Sequence, residues 1–206
     1  HVPIPSGRNM FSDIREGVGY AWRMPMIRAL IFVGSGALFI GMSQPAIPVK
    51  VQDVLNLGEV GYGVILGLNG VGALIGSVVL FALSKRVRKG YLLMFALIML
   101  NVATGLFAVA PNVILSGLAM LLMGLAFASW MISVPVLLQT TASEEMRGRV
   151  MSLYFMTVLT HQLGWLIGGA GIGAFGIQTT LFIGIAGSLT VSAIALISTP
   201  GLRRVR

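Results

Sequence analysis

Cysteine is absent, so a disulfide, a thiol nucleophile or a cysteine-held metal cannot exist in this chain. Acid is scarce: Asp13, Glu16, Asp53, Glu59, Glu144 and Glu145 are all there is. None lies inside a long apolar run, which leaves no buried carboxylate pair and no nucleophile with a base beside it. A GxxxxGK(S/T) phosphate loop and an HExxH motif are also missing, so ATP-driven pumping and zinc-protease chemistry have no residues to use. No enzyme activity, metal or other cofactor is expected. Charged residues make up only 10% of the chain, against about 25% in a soluble domain. With 56% hydrophobic residues and a mean hydropathy of +0.93, an ordinary soluble domain is excluded.

What the chain has instead is six long apolar runs: Ile27–Val49, Tyr62–Leu83, Tyr91–Ala110, Val113–Leu138, Val150–Ile172 and Thr179–Ser198. A helix rises 1.5 Å per residue, so about 20 apolar residues cross a bilayer. The runs are continuously apolar and do not alternate with period two, which argues against a transmembrane β-barrel. An all-α polytopic membrane protein with six transmembrane helices is predicted. Every Lys and Arg except Lys50 falls before or at the very start of the first run, where Arg28 stands, or after the second, fourth and sixth, the positive-inside pattern. Both ends of the segment are therefore expected in the cytoplasm, with the protein in the cell (inner) membrane. The net charge of +8 is read as a topology signal beside anionic headgroups, and no nucleic-acid partner is expected.

Three regions are predicted: residues 1–26 as linker and amphipathic cytoplasmic-face helix, 27–200 as the bundle, and 201–206 as a basic tail. The chain opens His-Val-Pro-Ile-Pro without an initiator Met, and is expected to be the middle of something longer. Phe11, Ile14, Val18 and Trp22 recur at helical spacing among Asp13, Arg15, Glu16 and Arg23, which predicts a helix lying in the interface. Pro25 should end it. Pro45 and Pro48 should bend or end the first span, with Lys50–Gly61 the longest outside connection, and Pro135 should kink the fourth. Gly72/Gly76, Gly164/Gly168 and Gly169/Gly173 are small-xxx-small pairs that allow close helix contact in lipid. Thr179–Ser198 reads as a peripheral, lipid-facing helix. Two sets of three spans, the second upside down, follow the logic of a 3+3 inverted repeat, although the sequence match between the halves is slight.

His161 is the one ionisable side chain other than tyrosine near the middle of a run, with Gln162 beside it. A polar group in hydrocarbon needs a cavity or a partner, so His161 is a candidate for proton relay or substrate contact, or else for an interhelical hydrogen bond. Asn69, Gln44, Trp130 and Ser133 are the other polar or amphipathic side chains at usable depth, and Asn101 reads as interhelical glue. Their placement on runs one, two, four and five predicts a wet cavity lined by four helices, with runs three and six as outer supports.

Three stretches resemble the C-terminal six-helix half of a major facilitator superfamily transporter, in the branch of the enterobactin exporter and macrolide-efflux-type proteins. They are Asp13-Ile-Arg-Glu-Gly-Val-Gly-Tyr-Ala-Trp-Arg-Met-Pro-Met-Ile-Arg28, the glycine-rich Gly67–Gly76 with its following basic loop, and Glu145-Met-Arg-Gly-Arg-Val-Met-Ser-Leu153. The resemblance implies one of two rocking bundles around a central site, with an N-terminal six-helix half as partner and a small molecule as substrate. It also implies a cytoplasmic gate or topology cluster of Lys85, Arg86, Arg88, Lys89, Glu144, Glu145, Arg147 and Arg149. Lys85 stands where the family's loop signature has an Asp, so an acid-based lock there is not expected. Arg147 and Arg149 are expected to pair with Glu144 or Glu145, or with acids of the other half. Proton-coupled efflux by alternating access is the expected function, with missing acids supplied by the other half and His161 the fallback coupling group. The alternatives are a self-contained six-helix channel or permease acting as a homodimer, and a membrane scaffold or enzyme.

Overall fold

The structure, a computed structural model, describes residues 10–84 and 86–198. The expected linker residues 1–9, the tail 201–206 and Lys85 lie outside the described residues. Among the described residues nine α-helices follow one another: α1 (Met10–Arg23), α2 (Pro25–Ser35), α3 (Ala37–Gly41), α4 (Ala46–Val49), α5 (Glu59–Ser84), α6 (Lys89–Val109), α7 (Val113–Thr141), α8 (Arg147–Phe175) and α9 (Ile177–Ser198). Six segments of the described residues are long and apolar enough to cross a membrane: Pro25–Val54, α5, α6, α7, α8 and Ile177–Ala195. The protein is a multi-pass membrane protein with no strand among its described residues.

The first span is a broken rod. Pro25 sits in the first turn of α2, where its missing N–H is no loss. Gly36 separates α2 from α3, and the chain then tightens to short-range bonding. Ser43, Gln44, Ala46 and Ile47 donate to carbonyls three residues back, because Pro45 and Pro48 cannot donate at all. Beyond α4 the helix widens into a π-helical turn, Lys50–Val54, closed by the Leu55 amide on the Lys50 carbonyl at 3.0 Å. The span therefore runs on through part of the expected outside loop, and the connection to α5 shrinks to 55–58, with Asn56 at a φ of 52°.

Lys50 is the corresponding correction. It is not a loop cation; only 2% of it is exposed. Its Nζ donates to the carbonyls of Phe107 and of Ala108, the latter at 3.0 Å, and lies 5.0 Å from the Phe107 ring centre. These carbonyls belong to the last turn of α6, where the helix dipole is negative and backbone acceptors lack partners. The exception to the charge pattern is thus a cap on a neighbouring helix.

The remaining connections are short. Asn112 caps α7 by accepting the Leu115 amide at 2.9 Å, and α7 continues through Pro135 to Thr141. Gly176 alone joins α8 to α9, at a φ of 80° that favours glycine.

Two helix crossings organise the bundle. At one, α5 lies against α7: a Cβ on Gly72 or Gly76 would strike the backbone of Leu121 or Leu125, and one on Gly124 would strike the backbone at Asn69. At the other, α8 lies against α3 and its continuation. Gly164 and Gly168 press on the backbone of Leu38 and Met42, and Gly41 on that of His161. Within each pair of matched spans the register is constant. By their contacts, Gly72-Ala-Leu-Ile-Gly76 corresponds to Gly164-Trp-Leu-Ile-Gly168, Leu121, Gly124 and Leu125 to Leu38, Gly41 and Met42, and Asn69 to His161. This is the 3+3 inverted repeat, with span two matching span five and span four matching span one. In lipid, van der Waals contact drives helix association, so the absent side chains at these six glycines let the backbones meet. Gly67, Gly70, Gly169 and Gly173 have open space around them and do not take part.

The outer supports are less bare than their sequences promise. Asn101 on α6 donates to the Leu97 carbonyl at 2.8 Å and to the Ser188 hydroxyl of α9 at 3.2 Å. Ser43 and Thr104 line the same small cavity between the first, third and sixth spans. α9 seats Gly184 and Gly187 against Phe39, so one face of this peripheral helix is packed in protein. The most open spans are α5 and α8, with 22% and 17% of their apolar windows buried.

Candidate functional site

The close approach of α8 to α3 fixes His161 at mid-helix, because Gly41 leaves room for the His161 carbonyl. The imidazole faces Phe127 of α7, with ring centres 6.4 Å apart, and Trp165 one turn along α8 at 6.2 Å. Phe127 also packs on Trp130, at 5.8 Å. Trp130 is 1% exposed, and its indole Nε1 is buried without a hydrogen-bond partner among the described residues. The same holds for Nε2 of His161, although the residue as a whole is half-buried. An unsatisfied buried donor or acceptor costs about 1–3 kcal/mol. Two stand on either side of one phenyl ring here; among the described residues the Ser116 and Tyr154 hydroxyls are also buried and unpartnered.

The quasi-equivalent crossing shows what a satisfied group looks like. Asn69 occupies His161's place in the repeat, and its Nδ2 donates across the interface to the Met120 carbonyl at 3.0 Å. The polar side chain there acts as interhelical glue.

The other expected site residues are dispersed. Gln44 is half-buried in the tight turn of the first span, and Gln162 is exposed. Ser133 is buried, lining an open cleft of about 800 Å³ between α5, α6 and α7 together with Ser77, Ser84 and Lys89. The structure thus brings His161 and Trp130 together through Phe127, keeps Asn69 on the opposite crossing, and sets Ser133 toward the basic end. Phe127 and Trp165 have no sequence signal, because an aromatic ring in an apolar run is unmarked. Tyr154, fully buried with its hydroxyl unpartnered and its ring against Gly34, is unmarked for the same reason. Among the described residues no cluster of His, Asp and Glu could hold a metal ion.

At the basic end, Arg149 is paired with Glu16 of α1 at 2.6 Å, an acid the sequence does not offer as its partner. Glu144, Glu145 and Arg147 are exposed on the connection and first turn of α8, as are Arg86 and Arg88 at the start of α6. The contact is reinforced by the Ser143 amide, which donates to the Tyr20 hydroxyl at 3.3 Å, and by Gly17, which lies against Arg149 and Leu153. The small face Gly17/Ala21 docks α1 on the bundle, while Val18 and Trp22 stay exposed.

Residues 3–169 match the sequence profile of the Major Facilitator Superfamily. The chain is also 24% identical over 199 residues to the multidrug efflux pump Tap of Mycolicibacterium fortuitum. That alignment takes in 95% of the chain and 48% of Tap, so the chain spans about half the length of this relative. Apolar helices in two inversely related sets, joined by short connections with a basic end, are what the profile match accounts for: the chain belongs to the Major Facilitator Superfamily.

Proposed function

We propose that the chain is the C-terminal six-helix half of a proton-driven exporter of a small, amphipathic molecule, from the efflux branch that includes enterobactin and macrolide exporters. Its partner is an N-terminal six-helix bundle. Support comes from the half-length match to a multidrug efflux pump and from the open faces of α5 and α8, where a second bundle would pack. The basic ends face the cytoplasm of a cell's inner membrane, by the charge alternation. Gln44, Gln162, Asn69 and Ser133 stay as candidate wall residues beside His161 and Trp130.

The observation that carries the reading is the broken equivalence of Asn69 and His161. One member of a repeated pair is hydrogen-bonded to its neighbour helix, while the other keeps a buried, unpartnered nitrogen beside a second one on Trp130. A site that receives a substrate or a proton needs such unoccupied capacity. The test is His161→Ala in the whole transporter: efflux falls while membrane abundance stays. Equal loss of both assigns His161 to structure. Efflux and uptake with a compound panel, with and without a pH gradient, test coupling and direction. Cysteine accessibility at positions 56 and 88 tests the orientation, which fails if both label from one side.

A further inference from the structure

An open groove of about 860 Å³ runs between α1, α2 and α8 at the basic end. Its walls are apolar: Val18 and Trp22 from α1, Ile31 and Phe32 from α2, Leu153 and Met156 from α8. Three hydroxyls also line it, but each donates to its own helix. Ser35 donates to Phe32, Thr157 to Tyr154 and Thr160 to Thr157, so the groove presents no unmet hydrogen-bond donor along its length. A surface of this kind takes a hydrocarbon chain.

Its mouth is cationic. The Arg28 guanidinium lies 5.7 Å from the centre of the Trp22 ring, which itself packs on Phe32 at 6.4 Å. A ring face holds a cation weakly and leaves its N–H donors available. Among the described residues no acid stands against Arg28. Glu16, on the same side of the molecule, is already held by Arg149. Arg15 and Arg23 on α1 are exposed. Trp22 is 63% exposed, as expected of an indole at headgroup level. An apolar trough ending in an uncompensated guanidinium, at the height of the membrane interface, complements a molecule with a chain and an anionic head.

We propose that this groove binds one anionic phospholipid of the adjoining leaflet, its acyl chain between Phe32 and Met156 and its phosphate on Arg28. The bound lipid would tie α1 to the first and fifth spans beside the Glu16–Arg149 pair. The proposal does not rest on what is transported or how transport is driven; it needs the chain in a bilayer and this end of α8 facing lipid, not the second bundle.

Native mass spectrometry of the whole transporter in detergent, titrated with phosphatidylglycerol or phosphatidylcholine of the same chains, tests it. Phosphatidylglycerol should be retained preferentially. Arg28→Gln should lower its affinity about fivefold, the equivalent of roughly 1 kcal/mol per basic residue at an anionic surface, and leave phosphatidylcholine unchanged. Arg28→Lys should restore most of the preference, which separates charge from folding, and added salt should weaken it in the parent protein. Equal retention of the two lipids, an unchanged preference in Arg28→Gln, or full competition by inorganic phosphate alone would overturn the proposal.

Discussion

The two crossings of the bundle, α5 on α7 and α3 on α8, use one packing solution twice. In each, a pair of glycines four apart on one helix meets backbone on the other, and a single glycine answers from the opposite side. They part at the residue one turn before the first glycine. Asn69 is short, planar and bonded to Met120, and its crossing is closed. His161 is turned among Phe127 and Trp165, and its Nε2 is buried with no protein partner among the described residues. Backbone packing therefore sets how closely the helices approach, and the side chain at this one position decides whether a hydrogen bond crosses the contact.

Breaking the shared part of the design should have the largest effect. Gly124→Val and Gly41→Val each push a side chain into a neighbour's backbone, and each should cost about 1–3 kcal/mol or more. Thermal unfolding of the purified protein and membrane abundance are the readouts. Gly70→Ala and Gly169→Ala, which meet nothing, should leave both unchanged. If all four behave alike, close approach is not what these glycines provide.

The next largest effect lies outside the crossings. Lys50→Ala removes two bonds to the end of α6 and leaves carbonyls buried, so a loss of about 1–3 kcal/mol is expected. Lys50→Gln should recover part of it in the same melt.

Asn69→Ala sharpens the comparison. It should cost about 0.6 kcal/mol of stability, the usual worth of an interhelical bond in lipid, and transport per folded molecule should hold. His161→Ala should do the reverse, lowering efflux without lowering the melting temperature. Exchange of these two outcomes would reverse the assignment of site and glue.

The smallest effect belongs to the ion pair. Glu16→Gln, with Glu16 about half exposed, should change stability by less than about 1 kcal/mol. The charge swap Glu16→Arg with Arg149→Glu should return it to the starting value.

Part of the candidate site is legible in the sequence. A histidine in an apolar run stands out, and so does an amphipathic indole, because hydrocarbon makes polar groups expensive wherever they sit. Asn69 stands out for the same reason, yet nothing in its spacing separates it from His161. Phe127 and Trp165 could not be found, since aromatic rings suit lipid, protein core and binding site alike. Lys50 was visible only as an anomaly of charge, and Glu16 only as one of several acids near a cluster of arginines. In each case the missing knowledge is the identity of a neighbour far along the chain.

By itself the sequence determined that the chain is helical, that it holds six segments long and apolar enough to cross a membrane, and that its basic residues gather at alternate connections. Those properties follow from transfer of single residues between water and lipid, which depends on composition and order alone. Tertiary structure decided which glycines touch backbone, which of two equivalent polar residues is bonded, and what Lys50 and Arg149 hold. Such pairings depend on the register of helices distant in sequence, and a shift of one residue along either helix would change every one of them.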